Sequence, residues 1–159
     1  MRLYRITPEE YLENYSGLGA SYQDGARWNK AGKPVLYFAL SPSTALLELA
    51  QYLPSPRLVP KTYRLGVYEC PDDLPYYTLP VNELPKDWAV YPHPQSTQLI
   101  GNEWLEKATE LGLIVPSSAV PQGLENIIMI NSTHADCNKI KLLSLSAELF
   151  NERIFTGII

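Results

Sequence analysis

A chain of 159 residues with 45% hydrophobic and 19% charged residues has the balance of one globular domain and excludes a disordered chain. Its formal net charge of −4, with no Lys/Arg cluster, disfavours direct nucleic-acid binding through the phosphate backbone. Cys70 and Cys137 sit in no CxxC or Cys/His spacing, so no disulfide framework and no metal site are expected, only two reduced, partly buried thiols.

The first ten residues, Met1 to Glu10, are charged and lack a long apolar run. No segment approaches the roughly 20 apolar residues of a membrane span, so a soluble, cytoplasmic protein without a membrane partner is expected. Neither an internal repeat nor a low-complexity segment appears, and a single domain over residues 1–159 is expected. Self-association into a homo-oligomer is left open.

Val35-Leu36-Tyr37-Phe38-Ala39 is an apolar run between Gly32-Lys33-Pro34 and Ser41-Pro42, and reads as a strand. Ser41 then offers an N-cap and Pro42 a first helical position. Leu46, Leu49, Ala50 and Leu53 form the apolar stripe of the helix that follows. From Leu53 to Pro94 prolines punctuate loops and short strands, among them Tyr63 to Cys70. Ser96 to Leu111 reads as a helix with Ile100, Trp104, Ala108 and Leu111 on one face and Gly112 as its stop. Leu113 to Val115, Ile127 to Ile130 and Ile140 to Leu145 read as strands. The mixture is α+β.

Several familiar motifs fail. Gly17-Leu18-Gly19-Ala20 has Tyr22 where a dinucleotide fingerprint needs glycine, and no strand runs into it in the required pattern. There is no P-loop. Ser117 and Ser118 lie outside any GxSxG elbow, and only His93 and His134 are on hand for a triad. His134 reads as a loop residue.

A set of dispersed blocks carries more. In order they are Tyr4-Arg5, Gly19-Ala20, Gly25-Ala26-Arg27-Trp28-Asn29, Pro34 to Ala39 with Ser41, and Ala45-Leu46-Leu47-Glu48. After them come Leu84 to Trp88, Thr97 to Leu105, Val115 to Pro121, Glu125-Asn126, Asn131, His134 and Phe150 to Arg153. This ordered set resembles the RES family from about Arg5 to Arg153. The chain departs from the family at Ala26, where a second Gly is common, and at Asn151-Glu152, where an Asp-Pro pair is common. The resemblance implies a fold similar to diphtheria-toxin-like ADP-ribosyltransferases, NAD as substrate with no further cofactor, and a cognate antitoxin partner of the Xre type.

The site roles rest on that resemblance. Breaking the nicotinamide–ribose bond makes an oxocarbenium-like cation, so the enzyme must clamp the pyrophosphate and stabilise positive charge on the ribose. Arg27 suits the clamp, although chemistry alone equally allows a surface salt bridge beside a packed Trp28. Arg5 is a second clamp candidate or a strand-edge charge. Tyr37 shares a strand face with Val35 and Ala39; it stacks on nicotinamide, holds the ribose, or is a core tyrosine. Glu48 lies off the leucine stripe, on the side of Thr44 and Tyr52. By itself that is a solvated face; under the resemblance its carboxylate takes the ribose hydroxyls and stabilises the cation. Ser117 orients the carboxylate or a ribose hydroxyl, with Ser118 the alternative. Three functions compete: NAD degradation by water or phosphate, transfer of ADP-ribose to a protein, and a non-catalytic module that binds NAD or the antitoxin.

Overall fold

The computed structural model describes residues 1–155, so the last four residues of the expected domain lie outside the description. The elements run β1 (Arg2–Pro8), α1 (Ala20–Asp24), β2 (Val35–Ala39), α2 (Pro42–Ala50), β3 (Tyr63–Glu69), β4 (Tyr76–Thr78), α3 (Gln95–Lys107), β5 (Gly112–Pro116), β6 (Asn126–Asn131) and β7 (Lys141–Ser146). The expected α+β class is what forms. The strands make one seven-stranded sheet in the order β4-β5-β6-β2-β1-β3-β7. Every neighbouring pair is antiparallel except β4 with β5. No helix among the described residues is long and apolar enough to cross a membrane.

β2 and β6 lie at the centre, where both faces are covered. That is why they read as unbroken apolar runs, with no polar alternation. Val35 and Tyr37 face one side with Leu113, Val115 and Met129, and there Trp28 and Trp104 close the core. Leu36 and Phe38 face the other side with Leu3, Tyr68, Ile128, Ile130 and Leu111. β1 joins β2 through the single pair Tyr4↔Ala39 but follows β3 along its whole length.

Helix α2 starts as its sequence dictates. Ser41 Oγ accepts the Thr44 N–H at 3.1 Å, and Pro42 occupies the first turn. Such a cap stabilises a helix by about 1 kcal/mol. The leucine stripe is not the buried face, however. Thr44 and Ala45 are buried, Leu46 and Leu49 half-buried, and Ala50 is exposed. The helix lies over β1 and β2 on its short-residue side, which turns Glu48 inward from the solvated face the sequence alone suggests.

Helix α3 stops four residues before the expected end. Ala108 adopts the left-handed conformation at φ 51° and caps the helix. Leu111 then drops into the opposite core, fully buried, its N–H given to Pro75 O at 2.8 Å. Its backbone groups are paired either way, so side-chain burial decides, at about 1.5–3 kcal/mol for a leucine. Gly112, expected as a helix stop, opens β5 instead. Strands β1 and β4 were not anticipated individually: β1 hides behind its charges, and β4 is three residues long.

The two thiols, Cys70 and Cys137, are buried and unbridged. Gly17, from the rejected dinucleotide motif, has φ +70° and lies against Val35 N and the Ser132 side chain, where a Cβ would clash.

One close approach fixes how α3 sits. A Cβ on Gly101 would fall 1.7 Å from the Trp28 carbonyl oxygen. Alanine is ordinarily favoured over glycine in a helix by about 1 kcal/mol. Here overpacking outweighs it, so Gly101→Ala is expected to destabilise the protein by about 1–3 kcal/mol in urea unfolding. An unchanged or raised midpoint would show that α3 does not rest on Trp28.

Burial also holds the phenols of Tyr37, Tyr68 and Tyr76 above their ordinary 10.0, and lifts the Cys137 thiol from 9.0 to about 11. The unfolded chain releases these protons at lower pH than the folded chain. Their contribution is therefore full below about pH 9 and is lost as pH rises towards the folded values. Urea midpoints measured from pH 8 to pH 11 should fall steadily above pH 9; a flat profile would contradict this burial.

Candidate active site

The site is built on the segment Gly25-Ala26-Arg27-Trp28-Asn29. Ala26 N–H donates to Asn29 O at 2.8 Å, closing a tight loop. Helix α3 holds the backbone of this loop from outside. Thr97 Oγ1 donates to Arg27 O at 2.6 Å, and Gln98 Nε2 to Ala26 O at 2.9 Å. Asn102 Oδ1 accepts the Lys30 N–H at 3.1 Å, and Gly101 lets the Trp28 carbonyl in. These four residues stand at i, i+1, i+4 and i+5, one face of a helix.

Arg27 is 9% exposed. Its Nη1 donates to Trp88 O at 2.7 Å and to Val90 O at 2.8 Å, tying down the loop between β4 and α3. Nε and Nη2 take no acceptor among the described residues, and neither is sealed from solvent. Half of the guanidinium is thus structural and half open. Burial lowers its pKa, while Glu48 and then Tyr52 pull it back up. The group is a cation in the range where proteins work.

Tyr37 stands on β2 beside it. Its hydroxyl donates to Asn29 Oδ1 at 2.6 Å, and Asn29 Nδ2 donates to Ser21 O and Lys30 O at 2.8 and 3.0 Å. Burial keeps the phenol protonated far above neutral pH. The hydroxyl is thus committed to Asn29.

Glu48 is held at both oxygens. Ser117 Oγ donates to Oε1 at 2.5 Å, and Gln51 Nε2 donates to Oε2 at 2.9 Å. Ser117 is fully buried at the end of β5 and accepts the Ala119 N–H at 3.1 Å. Of the two serines, Ser117 and not Ser118 meets the carboxylate.

The structure brings Arg27, Tyr37, Glu48 and Ser117 to one side of the sheet. It does not bring Arg5 there. Arg5 alternates with Tyr4, the partner of Ala39, and so faces the opposite side with Phe38, 5.9 Å from that ring. Burial there lowers its pKa. His134 caps a short turn, its Nδ1 accepting the Asp136 N–H at 3.1 Å. Among the described residues no group of His, Cys, Asp and Glu is placed to hold a metal.

Sequence reasoning missed Asn29, Gln51 and the polar face of α3. The pattern Thr97-Gln98 with Gly101-Asn102 was the available signal, masked by the Ile100 and Trp104 face. Asn29→Ala leaves the buried Tyr37 hydroxyl without its acceptor, at about 1–3 kcal/mol for a buried orphan, while Ser21 O keeps the Gly25 N–H. Tyr37→Phe should cost less than Asn29→Ala, and urea unfolding of the double variant should show coupling of at least about 0.5 kcal/mol. Strict additivity would mean that the pair does not interact.

The RES domain family profile matches residues 2–149. A protein named Toxin Res from Photorhabdus laumondii is 35% identical over 143 residues, 87% of this chain and 86% of that protein. A second Toxin Res, from Yersinia enterocolitica, is 36% identical over 135 residues, 84% of this chain and 86% of that protein. The Prs ADP-ribosylating toxin of a Sphingobium species is 31% identical over 145 residues, 89% and 87% of the two chains. Among solved structures, a chain of the M. tuberculosis MbcT–MbcA toxin–antitoxin complex superposes with a TM-score of 0.71 at 18% identity, over 91% of this chain and 82% of that one. It shares this fold. On the match along nearly its whole length, the chain belongs to the RES domain family.

Proposed function

We propose that this chain is the toxin of a type II toxin–antitoxin pair and that it degrades NAD by cleaving the nicotinamide–ribose bond. The observation that carries the reading is the Ser117–Glu48 hydrogen bond on the same face as the open donors of Arg27. A fixed carboxylate, a half-free guanidinium and an aromatic wall are what a dinucleotide with a reacting ribose needs.

The chemistry asks little of an acid. The bond from ribose C1′ to the pyridinium nitrogen breaks, its electron pair neutralises that nitrogen, and nicotinamide leaves without a proton. The positive charge left on the ribose is met by Glu48, which Ser117 and Gln51 hold in place before the reaction, so no reorganisation is needed at that moment. Ribose hydroxyls donating to the carboxylate strengthen as the charge develops. Arg27 Nε and Nη2 meet the pyrophosphate, and the Tyr37 ring backs the nicotinamide. Water or inorganic phosphate then attacks C1′ and loses a proton to solvent.

A second reading, transfer of ADP-ribose to a protein, uses the same cation; the name of the Sphingobium relative favours keeping it. A third, a module that binds NAD or the antitoxin without turnover, leaves the Glu48–Ser117–Gln51 arrangement without a task. Mass spectrometry of NAD with the purified chain separates the outcomes. ADP-ribose with nicotinamide means hydrolysis, ADP-ribose 1″-phosphate phosphorolysis, and a mass increment on a protein transfer. Intact NAD sinks the reading.

An enzyme that drains NAD in the cytoplasm harms its own cell, so an antitoxin, of the Xre type by family resemblance, completes the system. The relatives' toxin names and the toxin–antitoxin complex of the structural neighbour support such a partner.

Glu48→Gln keeps the shape of the side chain and an acceptor for Ser117 but removes the charge. The variant is expected to fold normally and to lose about a hundredfold to a thousandfold in kcat for NAD. Turnover equal to wild type would remove Glu48 from the mechanism.

A further inference from the structure

Two aromatic rings near this site have no task in the mechanism above. Tyr52 is 72% and Tyr91 78% exposed, more than any other tyrosine among the described residues. Single exposed tyrosines are ordinary on a protein surface. These two are anchored to the site from two directions. Tyr52 stands one turn beyond Glu48, its N–H closing onto Leu49 O at 3.0 Å just past the end of α2. Tyr91 directly follows Val90, whose carbonyl takes Arg27 Nη1 at 2.8 Å. One residue therefore follows the carboxylate along its helix, and the other follows the carbonyl that holds the guanidinium.

Burial raises the Tyr52 phenol first, and Glu48, Arg27 and Tyr91 all act on it. Tyr91 is braced by His93, with ring centroids 5.4 Å apart and planes at 89°. Tyr37, by contrast, lies on the sheet with its hydroxyl committed to Asn29. The site therefore has two aromatic stations, one inside beside the carboxylate and one at the rim beyond Arg27.

The substrate in the reading above has two ring systems joined through a pyrophosphate. Its nicotinamide must lie where the ribose bond is cut, beside Glu48 and Ser117, so the outer station is left for the other base. Resting on that reading, we propose that Tyr52 and Tyr91 form the adenine subsite, stacking on the base while the pyrophosphate meets the open donors of Arg27. Stacking suits a purine because it needs only a π face. The subsite selects the dinucleotide over a mononucleotide that carries the same scissile bond.

Two measurements on the purified chain test this. The first compares kcat/KM for NAD with that for nicotinamide mononucleotide, which lacks adenine. Wild type prefers NAD; Tyr52→Ala and Tyr91→Ala each lower that preference about tenfold, through KM for NAD, and Phe at either position retains it. The second is calorimetry with ADP and with inorganic pyrophosphate. The Ala variants bind ADP about tenfold more weakly and pyrophosphate as wild type does. An NAD preference unchanged in both Ala variants, or wild-type ADP affinity no higher than pyrophosphate affinity, overturns the proposal. Calorimetry does not depend on turnover. Tyrosine-dependent ADP binding by a chain that leaves NAD intact would keep the base subsite and sink the cleavage reading. NAD cleavage with tyrosine-independent ADP binding would do the reverse.

Discussion

Everything at this site depends on how α3 grips the backbone of residues 26–30. Two side chains donate to carbonyls of that loop, a third accepts one of its N–H groups, and a glycine lets the Trp28 carbonyl approach where any Cβ would collide. Buried hydrogen bonds of this kind each add only about 0.5–1.5 kcal/mol net. Leaving one unmade costs more, so the loop has one low-energy position. Arg27 and Asn29 are carried on it, and through them the loop before α3 and the Tyr37 hydroxyl.

That arrangement explains a division of labour within single side chains. Arg27 holds two carbonyls with Nη1, which fixes the plane of the guanidinium, and this is what makes its other donors useful to a ligand. A planar fork already oriented loses little entropy on binding an anion. Glu48 follows the same logic from the other side. It is held by Ser117 from β5 and by Gln51 from its own helix, so α2 and the centre of the sheet agree on its position. Preorganised charge is worth most where it need not move during the reaction.

The sequence made the centre of the fold legible and its ends less so. β2 and β6 are buried on both faces, and their composition alone announces it. The start of α2 was legible because Ser41 and Pro42 are local signals, settled by neighbouring backbone. Its buried face was not. Leucines predict burial by hydrophobicity, whereas here α2 lies on the sheet through Thr44 and Ala45, whose small size allows close packing. The end of α3 failed for a related reason. Leu111 continues a helical period, but its burial in the opposite core is a tertiary gain that periodicity cannot register. Among the site residues, Arg27, Tyr37, Glu48 and Ser117 came from a resemblance, and their convergence needed the fold. Arg5 shows the limit of that reasoning: its partners are decided by strand parity, and the single pair Tyr4↔Ala39 places it across the sheet.

The buried and the exposed residues of this site are held differently, and this bears on how such a site can change. Asn29, Thr97 and Ser117 are fully buried, and each is hydrogen-bonded to more than one partner or to the backbone of another element. Replacing any of them leaves a buried polar group unpaired, so the carboxylate and the guanidinium cannot be repositioned without a loss of stability. Tyr52, Val90 and Tyr91 are exposed and contribute little to the core. Side-chain substitutions there leave Glu48 and Arg27 where they are, because Val90 holds Arg27 through its backbone carbonyl and Glu48 is held by Ser117 and Gln51. A fixed interior under an exposed margin lets one scaffold keep Glu48 and Arg27 in place while the exposed side chains around them vary.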